Sequence, residues 1–307
     1  MRLGLFVILT ICGFFVFALT MTFVPILPVW ANYAARAGFL IVFGALWRIA
    51  RDGHRLSRFR PIYFAYFTDK GLNRLLKKAI SPTNDRRGRL SRHAISIVYT
   101  ASGTGLLACQ SLFQQPVKLL GLTTQTPMGV AVAKFLQASL IVIGILAVTR
   151  LCGENLASLY IREGSLILGL SVGLITAAAC LVLTLQQPAI RAIGAAKLMA
   201  LAPGILLFVV PNAYMEELLF RGLFLGRYEP LIGKWLAIVS TALDFTLAHM
   251  QVAYAPNLWN FLLVTLGFSI AWGWLMQKTG SLWGSVLFHL GADLLIILPV
   301  FASFGAV

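Results

Sequence analysis

The chain has 307 residues, of which 59% are hydrophobic and only 11% are charged. Soluble domains carry about 25% charged residues, so this composition excludes an ordinary soluble protein and predicts one that is integral to a membrane. The formal net charge of +15 suits either nucleic acid or a lipid surface, and the position of the basic residues decides between them.

The apolar segments, taken in chain order, predict a bundle of membrane-spanning helices. The first is longer than the roughly 7–15 residues of a signal-peptide core, so we expect it to be retained. The second contains Arg36, a charge that weakens it as a span. If this segment lies tilted or at the interface and does not cross the membrane, the number of spans is eight rather than nine. Each segment is close to the about 20 residues that a spanning helix needs, which predicts an all-α, polytopic membrane helix bundle with eight or nine transmembrane helices. The nine segments are Leu3–Val29, Trp30–Ile49, Ala94–Phe113, Val130–Thr149, Ser165–Leu185, Leu201–Leu225, Trp235–Met250, Asn257–Met276 and Ser281–Phe304.

A strongly basic loop follows the second segment. Between Arg48 and Arg92 the chain has thirteen Lys or Arg residues and three Asp residues. A cytoplasmic loop facing anionic lipid explains this concentration better than a nucleic-acid surface does. Its aromatic and aliphatic residues, around Tyr63 and Leu72, fit either an amphipathic helix lying on the membrane or a solvated loop. We predict contact with membrane lipids through residues 48–92 and no nucleic-acid partner.

The later loops give the orientation. With the N-terminus inside, the inside loops carry more Lys and Arg than the outside loops, which is the positive-inside pattern. We therefore expect a cytoplasmic N-terminus and insertion in a bacterial cytoplasmic (inner) membrane. The inside residues are Arg150, Arg162, Arg227, Lys234 and Lys278, and the outside residues are Lys118, Arg191 and Lys197.

The chain is predicted to divide at the end of the basic loop. Residues 1–93 comprise the first spans and this loop, and residues 94–307 form a core whose ionisable motifs lie within 201–295. The four cysteines show no CxxC or secreted-domain spacing, so we expect them to be reduced packing residues. They are Cys12, Cys109, Cys152 and Cys180.

The first motif is a pair of adjacent glutamates, Glu216 and Glu217, followed by Arg221. Charged groups inside a span are rare and usually functional. On a helix, Glu217 and Arg221 are i,i+4 neighbours that can form a structural ion pair. Glu216 is rotated by about 100° and is left to face a cavity as a general base. The alternative is an interfacial cluster in which Arg221 reaches water.

The second and third motifs place histidines in later spans. Phe245 and His249 share a helix face at i,i+4, as do His289 and Asp293. Asp244 is predicted either to contact and position the site residues or to make a polar contact between helices. Small residues around the third motif favour close helix packing. They are Gly284, Ser285, Gly291 and Ala292.

Two histidines and several carboxylates also raise the question of zinc. The HExxH arrangement, which places two ligands and a base on one helix, is absent. A site built from Glu216, His249 and His289 on separate helices is geometrically feasible. We expect no cofactor, with zinc as the open alternative.

These three motifs, in this order on successive spans, resemble the CPBP family. The family comprises type II CAAX prenyl endopeptidases, bacteriocin-processing proteins and related immunity proteins. The resemblance covers about Leu201–Leu295, including the Gly-Ser-Leu-Trp sequence that precedes the third motif, and it does not explain the N-terminal region. It implies a helical intramembrane endopeptidase with a polar chamber open to the cytoplasm.

The resemblance also implies residue roles. Glu216 and His249 would activate a water, while His289 and the residue at 293 would stabilise the oxyanion, with Glu217, Arg221 and Phe245 supporting them. The CAAX endopeptidases carry Asn at the position of Asp293. An ionised Asp cannot donate a hydrogen bond, so Asp293 stays protonated, orients His289 or helps to bind a cation.

The sequence thus predicts an enzyme that cleaves a peptide bond near the cytoplasmic membrane face, in CAAX-type or in bacteriocin or leader processing. Its substrate would be a peptide or a lipidated peptide, and the oligomeric state is left open. The alternative is a non-enzymatic immunity or scaffold protein that binds a peptide in the same chamber. A proton-coupled transporter is disfavoured because the sequence has no inverted repeat.

Overall fold

The computed structural model describes residues 2–21, 114–151, 154–250, 252 and 257–304, together with the isolated residues 34 and 38. Within these ranges all regular secondary structure is helical, as the composition predicts. The basic loop 48–92 and the predicted span Ala94–Phe113 lie outside the described residues, and so does nearly all of Trp30–Ile49.

The described residues form nine α-helices and two other helical segments. A 3₁₀ turn spans Leu156–Leu159, and a π-helical segment spans Leu218–Leu225. The α-helices are α1 (Arg2–Met21), α2 (Gln114–Leu119), α3 (Pro127–Leu151), α4 (Leu166–Gln186), α5 (Pro188–Glu217), α6 (Gly226–Ile232), α7 (Lys234–Ala248), α8 (Leu258–Thr279) and α9 (Trp283–Ser303).

Five helical runs among the described residues are long and apolar enough to cross a membrane. They are Pro127–Ala147, Leu166–Gln186, Pro188–Ile232, Leu258–Thr279 and Trp283–Ser303. Helix α7, predicted as a span, has only 15 residues, fewer than the about 20 that a crossing needs. The described chain therefore supports five spans of the eight or nine expected. The protein is an integral membrane protein by these helices.

Helix α5 is longer than its predicted span Leu201–Leu225. It begins with Pro188 and turns sharply at Gly194, whose backbone φ of 73° and ψ of 164° are not helical. Glycine accepts this positive φ because it has no Cβ. The helix then continues without a break into the π-helical segment and α6. Its last turn carries Glu216 and Glu217, which are both buried in the bundle.

Helices α4 and α9 pack closely through glycine, as the small residues of the third motif predict. A Cβ added to Gly284 would lie 2.6 Å from the carbonyl oxygen of Gly169, and one added to Gly291 would overlap Cα of Ala177. Such approach is typical of membrane helices, where small residues let backbones touch. Because α9 carries His289 and Asp293, this contact sets where the third motif lies.

We expect Gly291→Leu to destabilise the bundle. The new side chain must push α9 away from α4, and overpacking of this kind costs about 1–3 kcal/mol. The measurement is unfolding in a denaturing-detergent titration, followed by circular dichroism. Gly267→Leu is the matched control, since an added Cβ at Gly267 meets nothing within 4 Å. Equal midpoints for the two variants would contradict the close packing of α4 and α9.

The N-terminal helix α1 packs on α7. Thr10 Oγ1 and Ser240 Oγ lie 2.8 Å apart, and a Cβ at Gly13 would overlap the Asp244 carboxylate. Asp244 is only 1% exposed. Among the described residues Asp244 Oδ1 has no hydrogen-bond partner, so both roles predicted for this residue stay predictions.

The connector before α4 holds the start of α9. Leu282 N donates to Tyr160 O at 3.0 Å, and Ser281 Oγ donates to Arg162 O at 2.8 Å. The Arg162 side chain returns the contact, with Nε donating to Gly280 O at 2.6 Å. Burial, together with the nearby Glu229 carboxylate, raises the pKa of Tyr160. These bonds fix the N-terminal end of the helix that bears the third motif.

Candidate active site

The two glutamates lie where α5 changes from an α-helix to the π-helical segment. Glu216 is 7% exposed and Glu217 is fully buried. π-Helical turns are rare and are frequently found at functional sites. The helix type changes directly after Glu217, so Glu216 and Glu217 lie in the last turn of the α-helix and Arg221 lies in the π-helical segment.

Glu217 and Arg221 form a buried ion pair. Arg221 Nη1 lies 2.9 Å from Glu217 Oε1, and both side chains are fully buried. Arg221 Nη2 also donates to Ser269 Oγ, and its guanidinium lies 4.7 Å from the ring centroid of Phe245 and 5.0 Å from that of Trp272. The alternative in which Arg221 reaches water is wrong, because aromatic rings and α8 enclose the guanidinium.

His289 on α9 faces three carboxylates. Its Nδ1 lies 2.9 Å from Glu217 Oε1, while its Nε2 lies 3.4 Å from Glu216 Oε2 and 3.5 Å from Asp293 Oδ1. The imidazole also stacks on Trp272, with centroids 3.9 Å apart and planes inclined by 8°. Carboxylates on both edges and an indole on one face leave the ring little freedom to rotate.

His249 is placed differently. It caps the C-terminus of α7, and its Nδ1 donates to Phe245 O at 2.8 Å. This bond leaves Nε2 as the acceptor of a neutral ring. Within the described part of the chain, no hydrogen bond or ion pair joins His249 to Glu216. The Phe245 ring touches both histidines, with centroids 4.5 Å from His249 and 5.7 Å from His289.

The structure therefore gathers Glu216, Glu217, Arg221, His289 and Asp293, and His249 meets this group through the Phe245 ring, which contacts both histidines. Among the described residues, no group of three or more His, Cys, Asp or Glu is arranged to hold a metal ion. The zinc set of Glu216, His249 and His289 that the sequence leaves open is not gathered there.

Three residues of this cluster were not predicted from the sequence. Asn212 Nδ2 donates to Asp293 Oδ2 at 3.0 Å, Ser269 binds Arg221, and Trp272 stacks on His289. Asn212 lies four residues before Glu216 and is also a polar residue inside a span. The criterion that singled out Glu216 therefore applies to Asn212 as well. Ser269 and Trp272 give no such signal because serine and tryptophan are common in membrane helices.

Comparison with known proteins agrees with the motifs. Residues 198–295 match the family described as type II CAAX prenyl endopeptidase Rce1-like. This range contains all three motifs and confirms the predicted resemblance. No match to the chain was found among curated proteins or solved structures. The matched family is one of proteases, and the apolar helices fit a protein of the membrane.

Proposed function

We propose that this protein is an intramembrane endopeptidase that hydrolyses a peptide bond near the cytoplasmic face of the membrane. One observation carries the proposal. Arg221 is already paired with Glu217, so among the described residues Glu216 is a nearly buried carboxylate without a guanidinium partner, and the His289 Nε2 atom lies 3.4 Å from it. A carboxylate kept in an apolar span in this way suits a general base.

The proposed reaction uses a water held by Glu216. Glu216 takes a proton from the water, whose oxygen bonds to the peptide carbonyl carbon while the C=O π electrons move to the carbonyl oxygen. The C–N bond then breaks as the carbonyl re-forms, and the leaving amine takes the proton from Glu216. Donors aimed at the transient oxyanion supply much of the rate in such reactions. We assign this side of the site to His289 as a donor, with Asp293 beside it, 3.5 Å from His289 Nε2.

His249 is proposed to assist from the opposite side. Its Nδ1 is committed to the Phe245 carbonyl, so Nε2 is free to accept a hydrogen bond from the water. Phe245 supports this arrangement because its ring contacts His249, His289 and Arg221. We propose no metal in this step.

The remaining assignments follow the sequence. We propose that the catalytic core is residues 94–307, that the N-terminus is cytoplasmic and that the protein lies in a bacterial inner membrane. Loop 48–92 would contact anionic lipids, which keeps the site near peptides that approach along the membrane surface. The substrate is proposed to be a peptide, either lipidated, as in CAAX processing, or unlipidated, as in bacteriocin or leader processing.

A cleavage assay tests the proposal and its metal independence. Detergent-purified full-length protein would be given a fluorogenic peptide ending in farnesyl-cysteine and three aliphatic residues, or the same peptide without the lipid. We expect cleavage of at least one peptide, unaffected by 1,10-phenanthroline. Loss of cleavage with the chelator and recovery with added zinc would overturn the metal-free mechanism. Peptide that binds intact would instead favour the non-enzymatic scaffold or immunity protein.

A further inference from the structure

Asn212 is a buried amide that makes, among the described residues, one of the four hydrogen bonds open to an amide side chain. Its side chain is 6% exposed, and Nδ2 donates one bond to Asp293 Oδ2 at 3.0 Å. Among the described residues, Oδ1 has no hydrogen-bond partner. Most buried polar atoms in proteins are hydrogen-bonded, and exceptions call for an explanation. This one lies four residues before Glu216, on the same face of α5.

Asn212 completes a chain of four polar side chains that joins α5 to α9. From Asn212 the contacts run to Asp293 at 3.0 Å, from Asp293 to His289 at 3.5 Å, and from His289 to Glu216 at 3.4 Å. Glu216 and Asn212 lie at the two ends of this chain, about 6 Å apart along the helix axis at 1.5 Å per residue. A peptide carbonyl placed between them would have the base-held water on one side and the amide on the other.

The Asn212 amide supplies hydrogen-bond donors, which an aspartate carboxylate does not have. A carboxylate has only acceptor oxygens, whereas an Asn amide has two N–H donors. Asn212 Nδ2 donates to Asp293 Oδ2, and this bond fixes which end of the Asn212 amide faces Asp293. One N–H of Asn212 is used in that bond, and the second is left for another acceptor.

We infer that Asn212 donates this second N–H to the oxyanion, with Asp293 orienting the amide. The inference rests on the proposed hydrolysis. It assigns the neutral donor of the oxyanion side to Asn212 on α5 rather than to position 293, and residues 212 and 293 together provide one amide and one carboxylate.

The test uses the farnesylated and unlipidated fluorogenic peptides with the full-length protein. Asn212→Leu should lower kcat by about 10²-fold or more, the effect of losing one oxyanion donor, with little change in KM. Asn212→Asp should be as inactive, since it brings two carboxylates together. The exchanged variant Asn212→Asp/Asp293→Asn should recover at least tenfold over Asn212→Asp, because one amide and one carboxylate are restored. Gln137→Leu, which removes another buried amide, is the control and should leave kcat unchanged.

Thermal unfolding of each variant separates catalysis from folding. A folded Asn212→Leu protein with wild-type kcat, or an exchanged variant no more active than Asn212→Asp, overturns the inference while leaving the proposed hydrolysis intact. If wild type cleaves neither peptide, the proposed function fails and the inference fails with it. Should the single variants not fold, the folded exchanged variant is compared with wild type instead, and a kcat lower by about 10²-fold or more, the effect of losing an oxyanion donor, overturns the inference.

Discussion

Glu216→Gln is expected to abolish peptide cleavage while leaving the fold intact. The amide has the shape of the carboxylate and can still accept a hydrogen bond from His289 Nε2, which lies 3.4 Å from Glu216 Oε2. It cannot take a proton from water at neutral pH, and general-base catalysis is worth about 10²–10⁴-fold in rate. We therefore expect kcat to fall by that factor, measured as fluorogenic peptide cleavage by the purified protein.

The matched control is Glu163→Gln, the same chemical change at an exposed glutamate in the connector before α4. It should cleave at the wild-type rate. Peptide binding, measured by fluorescence anisotropy, should be nearly equal in wild type and Glu216→Gln. A Glu216→Gln protein that cleaves at the Glu163→Gln rate would remove Glu216 from the mechanism.

The apolar helices could be predicted where hydrophobic length alone decides the structure. The predicted segments Val130–Thr149, Asn257–Met276 and Ser281–Phe304 each agree closely with an observed helix, since about 20 apolar residues have few alternatives in a bilayer. Prediction was weaker at helix ends. Helix α5 begins at Pro188 rather than near Leu201, and its first residues are set off from the rest by the turn at Gly194, which a hydropathy pattern does not signal.

The site was predictable where contacts are local. The i,i+4 spacing predicts the Glu217–Arg221 pair, which the structure forms, and it places His289 and Asp293 on one face. Contacts between helices depend on how the helices are rotated and how closely they approach. The spacing therefore gave no sign that Phe245 stands beside both histidines or that Asn212 meets Asp293. The π-helical turn after Glu217 is equally hidden, since its apolar residues suit either kind of helix.

Arg221→Met is expected to cause the largest loss of stability of any single substitution proposed for this protein. The guanidinium is fully buried between Glu217, Ser269 and two aromatic rings. Its removal leaves the Glu217 carboxylate buried, with His289 as its one partner in the described part of the chain. Breaking a buried ion pair from one side costs about 3–5 kcal/mol, and the midpoint of unfolding in denaturing detergent should fall accordingly.

The double variant Glu217→Gln/Arg221→Met separates the cost of an unpaired charge from the loss of packing. The amide that replaces the Glu217 carboxylate can still accept the bond from His289 Nδ1, and no buried charge is left without its partner. If the buried charge dominates, the double variant should be more stable than Arg221→Met alone, which two independent losses would not produce. Arg191→Met, at an exposed arginine near the start of α5, should leave the midpoint unchanged. A double variant less stable than Arg221→Met would instead mean that Arg221 stabilises the bundle through Ser269 and the aromatic rings, with Glu217 contributing independently.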